Sequence, residues 1–146
     1  MNVYGDGWER ELETSRDGFR WRRMRLAGEL LGMSVYELPP GERTWPYHYH
    51  HGNEEWLVVL SGTPTLRVPD GERELSEGDI VCFPEGADGA HQVSNRSDAP
   101  VRVLILSTLN VPSAAVYPDS DKIGVRGGDE AFVLPRGAAV DYWHGE

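Results

Sequence analysis

Pro46-Tyr47-His48-Tyr49-His50-His51-Gly52-Asn53-Glu54-Glu55 is the stretch on which the reading of this chain turns. In a strand, successive side chains point to opposite faces, and residues i and i+2 share a face about 6.5–7 Å apart. His48 and His50 therefore aim at one point, while Tyr49 and His51 face away. Gly52-Asn53 breaks the strand and resets the alternation, so that Glu55 rather than Glu54 returns to the inward side with Leu57 and Val59. A fourth group, His91, opens another strand candidate after a Gly/Pro-rich loop, Pro84 to Ala90.

Taken singly, each histidine reads equally well as a surface residue on a polar loop or as a satisfied core residue. Taken together, four of the five histidines fall in two spots. Three imidazoles and a carboxylate, His48, His50, His91 and Glu55, suit one divalent transition-metal ion: Mn, Fe, Co, Ni, Cu or Zn, which ligand type alone does not separate. Six-coordination would leave two adjacent positions for water, substrate or dioxygen. Ligating imidazoles must be neutral, so binding is expected to weaken as pH falls toward about 6.

Working outward, Gly32 to Leu38 is rich in strand formers and stops at Pro39-Pro40-Gly41, where no amide hydrogen continues a ladder. Trp56 to Leu60 is a strand that is apolar on both faces, so something is expected to cover its outer side. Thr65 to Val68 and Arg73 to Leu75 flank Pro69-Asp70-Gly71, the signature of a hairpin turn. Ile80 to Phe83, His91 to Asn95 and Val101 to Ser107 follow. Six or seven short strands at roughly ten-residue spacing, without a convincing helix between them, predict an all-β sandwich or barrel with its body over residues 32–109.

Residues 1–31 combine aromatics (Tyr4, Trp8, Phe19, Trp21) with a basic cluster, Arg16, Arg20, Arg22, Arg23 and Arg25. No clean period runs through them. They are read as an arm packing on the barrel; of two readings of the cluster, a site for an anionic substrate or partner and a solvated face paired with carboxylates, the second is taken. Residues 110–146 hold one strand candidate, Ala131 to Leu134, and are too apolar for a flexible tail; they are expected to pack on the barrel or on a partner subunit.

A net charge of −10, from 24 acidic against 14 basic residues, argues against nucleic acid or an anionic membrane as partner and leaves a small molecule. The single Cys82 cannot form an internal disulfide, and it is read as a small core residue in the apolar run Ile80 to Phe83. No basic-then-apolar leader opens the sequence, and no apolar run approaches bilayer-spanning length. The expected location is the cytoplasm. No nucleophile elbow or phosphate-binding glycine motif appears, which leaves acyl and phosphoryl transfer without support.

These residues carry a resemblance. Gly41, six residues, His48-Tyr49-His50, four residues, Glu55, six residues and Gly62 resemble the first cupin motif. Gly78, five residues, Pro84, one residue, Gly86, four residues, His91, three residues and Asn95 resemble the second, with the loop before His91 lengthened. The resemblance, to small single-domain bacterial cupins, implies a double-stranded β-helix (a jelly-roll barrel) with N- and C-terminal extensions, a metal held by His48, His50, Glu55 and His91, and homodimerisation. Two functions follow as expectations. One is a metal-dependent enzyme on a small molecule, such as a dioxygenase or isomerase, with Tyr36, Tyr47 and Glu54 as pocket and proton-handling candidates. The alternative is a non-catalytic module that binds a small ligand such as a sugar or carboxylate.

Overall fold

The structure, a computed structural model, describes residues 2–5, 11–14 and 16–146, with residues 11–14 described by their backbone alone; Trp8 lies outside the described residues. Thirteen strands are present among the described residues: β1 (Glu11–Thr14), β2 (Trp21–Ala27), β3 (Leu31–Leu38), β4 (Tyr49–His51), β5 (Glu55–Ser61), β6 (Thr65–Val68), β7 (Gly71–Glu74), β8 (Ile80–Phe83), β9 (Gln92–Ser94), β10 (Val101–Thr108), β11 (Ser113–Tyr117), β12 (Lys122–Gly127) and β13 (Glu130–Pro135). Among the described residues, helix is confined to three single 3-10 turns, Ala87–Gly89, Pro118–Ser120 and Arg136–Ala138. None of these is long and apolar enough to cross a membrane.

The strands form antiparallel sheets in two layers. One layer is a six-stranded sheet, β1-β2-β3-β10-β5-β8. The other consists of a four-stranded sheet, β13-β12-β11-β4, and a three-stranded sheet, β7-β6-β9. Leu38, Leu57, Val59, Val101 and Val103 from the first layer pack on Leu66 and Val93 from the second, making the main core. This is an all-β sandwich of the jelly-roll kind.

The expected closed barrel is corrected: the ladders do not run continuously around the molecule. Among the described residues, the ladder between the two smaller sheets is reduced to the isolated bridge His48 to His91, with Arg43 of the segment before β4 bridged to Ser94 of β9. Pro39, Pro40 and Pro46 lie in this connection and lack the amide hydrogens a continuous ladder needs.

Local sequence accounts for most elements. The hairpin expected between Thr65–Val68 and Arg73–Leu75 is present, with a turn one residue tighter: Pro69-Asp70 joins β6 to β7 and Val68 lies opposite Gly71. Gly62 has φ +80°, and a Cβ there would lie 2.8 Å from Val101 Cγ1, so this turn requires glycine on both counts. Asn95 is fully buried because its amide organises the chain around it. Its Nδ2 donates to the carbonyls of Leu38 and Ala99, and its Oδ1 accepts from the Ser97 amide and hydroxyl.

The outer side of β5 divides. Leu60 is covered by Met24, Val35 and Val3 in a second apolar cluster, whereas Trp56 is 42% exposed. Cys82, opposite Trp56 in the ladder, is exposed too, which corrects its reading as a core residue. The apolar run Ile80 to Phe83 buries Phe83 in the main core with Val81 packed against it, while Ile80 and Cys82 face out, because alternate residues of an edge strand point to opposite sides.

Candidate metal centre

The seam between the two smaller sheets is where the histidines meet. His48 and His91 face each other as a bridge, with His48 N donating to His91 O at 3.1 Å and His91 N to His48 O at 2.9 Å. His50 follows on β4, and Glu55 opens β5 in the opposite layer. Gly52, at φ +86°, turns the chain between them. Asn53 pins this turn: its Oδ1 accepts from Thr108 Oγ1 and from the Asn110 amide at 3.0 and 2.8 Å. The alternation predicted from sequence is therefore realised. Tyr49 and His51 pair on the far face with ring centroids 5.4 Å apart.

Ligand-type atoms of His48, His50 and Glu55 lie within 4.8 Å of one another. Glu55 Oε2 is 3.1 Å from His50 Nε2 and 3.4 Å from His91 Nε2. The His48 ring centroid is 4.8 Å from that of His50 and 4.9 Å from that of His91. Two tautomers are set by the backbone. His48 Nδ1 sits 2.8 Å from the Pro46 carbonyl, and His91 Nδ1 sits 2.9 Å from the Gly89 carbonyl. A carbonyl only accepts, so each Nδ1 carries the proton and each Nε2 keeps its lone pair for the site. Phe83 stacks on His91 at 3.8 Å and Tyr117 on His48 at 5.7 Å, holding both ring planes.

Burial pushes the His48 pKa down to about 3, with His91 and His50 adding to the effect. His48 is thus held neutral, the form a metal requires, well below the pH at which an exposed imidazole would protonate. For Glu55, burial alone would raise the carboxyl, but contacts from His50 and His91 outweigh it and hold the group below the usual carboxylate range. His50 Nε2 is buried and, apart from the Glu55 carboxylate 3.1 Å away, has no hydrogen-bond partner. A buried orphan nitrogen facing a carboxylate and two further imidazole lone pairs is the donor set that a divalent transition ion completes. The residues fit the group.

A model of the cupin domain matches residues 34–107, about half of the chain. The chain belongs to the cupin family. Among solved structures, the cupin is similar to a sugar phosphate isomerase of the cupin superfamily from Silicibacter pomeroyi, at 28% identity and TM-score 0.77, over 84% of this chain and 80% of that one. It is also similar to a candidate sugar phosphate isomerase from Acidithiobacillus ferrooxidans, at 26% identity and TM-score 0.75, over 82% of this chain and 80% of that one. A DMSP lyase from Ruegeria pomeroyi shares 28% identity and TM-score 0.51 over 62% of this chain, and 44% of its own length is covered. No curated protein matches the cupin in sequence.

The longer loop before His91 is accounted for in this cupin by the 3-10 turn Ala87–Gly89. It ends by presenting the Gly89 carbonyl to His91, and Gly86 N donates to His50 O at 2.9 Å. The added residues thus tie the loop to two of the histidines.

The four residues open into a cavity of about 660 Å³ between the layers. Of the pocket candidates read from the sequence, Tyr36 lines it. Tyr47 is buried beneath the Arg67 guanidinium, 3.9 Å from its ring centroid, outside the lining. Glu54 is exposed and accepts from Trp56 Nε1 at 2.7 Å, also outside the lining.

Among the lining residues that escaped the sequence reading are Arg23, Arg25, Arg126 and Tyr117. The expectation of a solvated, carboxylate-paired face holds for Arg20, bound to Glu42, and Arg22, bound to Glu37. It is corrected for Arg23 and Arg25. Both lie on the cavity side of β2 with Trp21, while Met24 lies on the other side. A period of two was the available signal, but Trp21-Arg22-Arg23-Met24-Arg25 puts apolar side chains on both faces and so hides it.

Proposed function

We propose that this cupin is a metal-dependent isomerase of a small phosphorylated sugar, with one divalent ion held by His48, His50, Glu55 and His91. The observation that carries the reading is the convergence of those four side chains at one end of a cavity of about 660 Å³. The choice of isomerase over other metal chemistry draws on the likeness to sugar phosphate isomerases across most of both chains. Fold alone would not make that choice, since function lives in the site.

When bound, the ion would supply a Lewis acid for a carbonyl and its neighbouring hydroxyl. The chain's own residues do the rest. Phe83 and Tyr117 keep the His91 and His48 rings in plane, and the Pro46 and Gly89 carbonyls keep their Nε2 atoms unprotonated. Tyr117 lines the cavity beside His48, and burial raises its phenol above the ordinary value, so it remains a proton donor at neutral pH. Tyr36 presents a second hydroxyl, held by donors from Trp45 Nε1 at 2.9 Å and Arg23 at 3.3 Å. An aldose–ketose shift moves a proton between adjacent carbons and consumes no external oxidant.

The test is deuterium uptake and interconversion, followed by NMR, on aldose–ketose phosphate pairs of five and six carbons. The protein would be loaded in turn with Mn, Fe, Co, Ni, Cu or Zn. Turnover that vanishes on chelation and in His48→Ala is expected. No exchange with any pair and any ion would refute the reading. We also propose a cytoplasmic protein that forms a homodimer, with exposed Trp56, Ile80 and Cys82 on one side of β5 and β8 as the contact, a dimer that light scattering checks.

A further inference from the structure

The cavity is electrostatically opposite to the protein around it. The chain carries a net charge of −10, yet among the described residues the cavity is lined by three arginines, Arg23, Arg25 and Arg126, and a single carboxylate, Glu55. That carboxylate is already engaged with His50 and His91. Arg20, Arg22, Arg67, Arg96, Arg102 and Arg136 each pair with an acidic side chain. Among the described residues no carboxylate pairs with Arg23, Arg25 or Arg126.

Arg23 is the most revealing of the three. It is half-buried, and its Nε is buried without a hydrogen-bond partner. Its guanidinium lies 5.3, 5.8 and 5.7 Å from the ring centroids of Trp21, Tyr36 and Trp45, and Nη1 donates to Tyr36 Oη. An aromatic cage of this kind holds a cation in place without neutralising it. A half-buried charge with no counter-ion is costly unless something supplies one. Arg25 follows on the same face of β2, and Arg126 comes from β12 in the opposite layer; both are exposed, so they stand at the rim with Arg23 deeper.

The distance between Arg25 and the metal end is set by sheet register. Arg25 lies opposite Ser34, Ser34 opposite Ile105, and Ile105 opposite Leu57, two residues from Glu55. Three strand spacings of about 4.8 Å separate the backbones, roughly 14 Å. The arginine reaches in from one end and the glutamate from the other, so the gap suits a short ligand with chemically different ends. Ser34 and Ser107, opposite Arg25 and Glu55 respectively by ladder or shared row, place hydroxyls along the intervening wall.

We infer that Arg23, Arg25 and Arg126 form an anion subsite that takes the phosphate monoester end of the ligand. Three guanidiniums offer paired N–H donors to a dianion, and a planar fork suits its oxygens. The inference rests on the isomerase reading for what happens at the ligand's other end, but binding of the anion needs neither metal nor turnover.

The experiment uses the full chain in chelator, and calorimetry with glucose 6-phosphate, fructose 6-phosphate and ribose 5-phosphate, each beside its unphosphorylated sugar, and with inorganic phosphate and gluconate. Each phosphorylated probe should bind more tightly than its parent sugar, with a preference that falls as salt rises. Arg25→Ala and Arg126→Ala should each weaken the phosphorylated probes about tenfold, with Arg25→Lys intermediate and Mn²⁺ affinity unchanged in all three. Equal affinity for every phosphorylated and parent sugar, or a preference that survives the double alanine variant, would overturn the subsite. Tighter binding of gluconate than of any phosphate would overturn the assignment to phosphate. A phosphate preference without turnover would sink the isomerase reading alone, and turnover indifferent to the arginines would sink this inference alone.

Discussion

Gly89→Ala tests how the loop before His91 serves the site. Gly89 closes the 3-10 turn, is buried, and presents its carbonyl to His91 Nδ1 at 2.9 Å. A Cβ built there would lie 1.8 Å from Pro84 O, 2.9 Å from Pro84 C and 3.1 Å from Pro84 N. Ordinary contact begins at 3.4 Å, so the two segments must part by about 1.6 Å. The obstacle is backbone rather than a flexible side chain, and the proline ring restricts how it can yield. The loop is also tied down by Gly86 N to His50 O and by Ala90 N to Ala87 O. Overpacking of this kind costs about 3 kcal/mol, which for a domain of this size lowers Tm by about 10 °C. The displaced carbonyl no longer sets the His91 ring, and loss of such an orienting partner weakens metal binding about 10- to 100-fold. Thermal unfolding in chelator reads the first effect, and calorimetric titration with Mn²⁺ and Zn²⁺ reads the second. Gly127→Ala, where a Cβ meets nothing within 4 Å, is the control and should stay near the parent protein. A Gly89→Ala protein with parental Tm and parental metal affinity would refute the argument.

Three further outcomes follow from the same geometry. Because His48 is held neutral down to about pH 3, the metal-free native state binds fewer protons than the unfolded chain, whose imidazole titrates near 6.5, so stability falls as pH drops below that value. At pH 5 the loss relative to pH 7.5 is about 2 kcal/mol; urea unfolding in chelator should show it and show much less of it in His48→Gln, and an unchanged midpoint would count against a buried neutral His48. Asn95→Ala removes the side-chain donor to the Leu38 carbonyl, one of two donors to the Ala99 carbonyl, and the acceptor of the Ser97 amide and hydroxyl, and about 3 kcal/mol of stability should be lost in chemical denaturation; a loss under about 0.5 kcal/mol would mean that water replaces the amide. A divalent ion at 100 times its Kd should stabilise the protein by about 2.7 kcal/mol, raising Tm by roughly 5–10 °C, and Glu55→Gln should reduce that shift; no shift with any of the six candidate ions would remove the metal from the site.

What the chain determined by itself was whatever depends on neighbours along it. Alternation in an extended segment put His48 and His50 on one face, and a single break at Gly52 returned Glu55 to that face and sent Glu54 outward to Trp56. Turn chemistry placed the β6–β7 hairpin, and the apolar alternation of Leu57 and Val59 placed the core. The tertiary structure decided what depends on register between distant strands. That β11 pairs with β4, carrying Tyr117 to His48, has no local signature, since the small residues Ser113 to Ala115 show no strand alternation before Val116 and Tyr117. Cys82 looks like core until β8 is seen to be an edge with one face to solvent. The five arginines of residues 16–25 are alike in sequence; only the sheet, by turning Arg22 toward Glu37 and Arg23 into a cage of Trp21, Tyr36 and Trp45, separates a paired surface charge from one left to meet a ligand. Charge is written in the chain, but its neutralisation depends on which strand lies alongside.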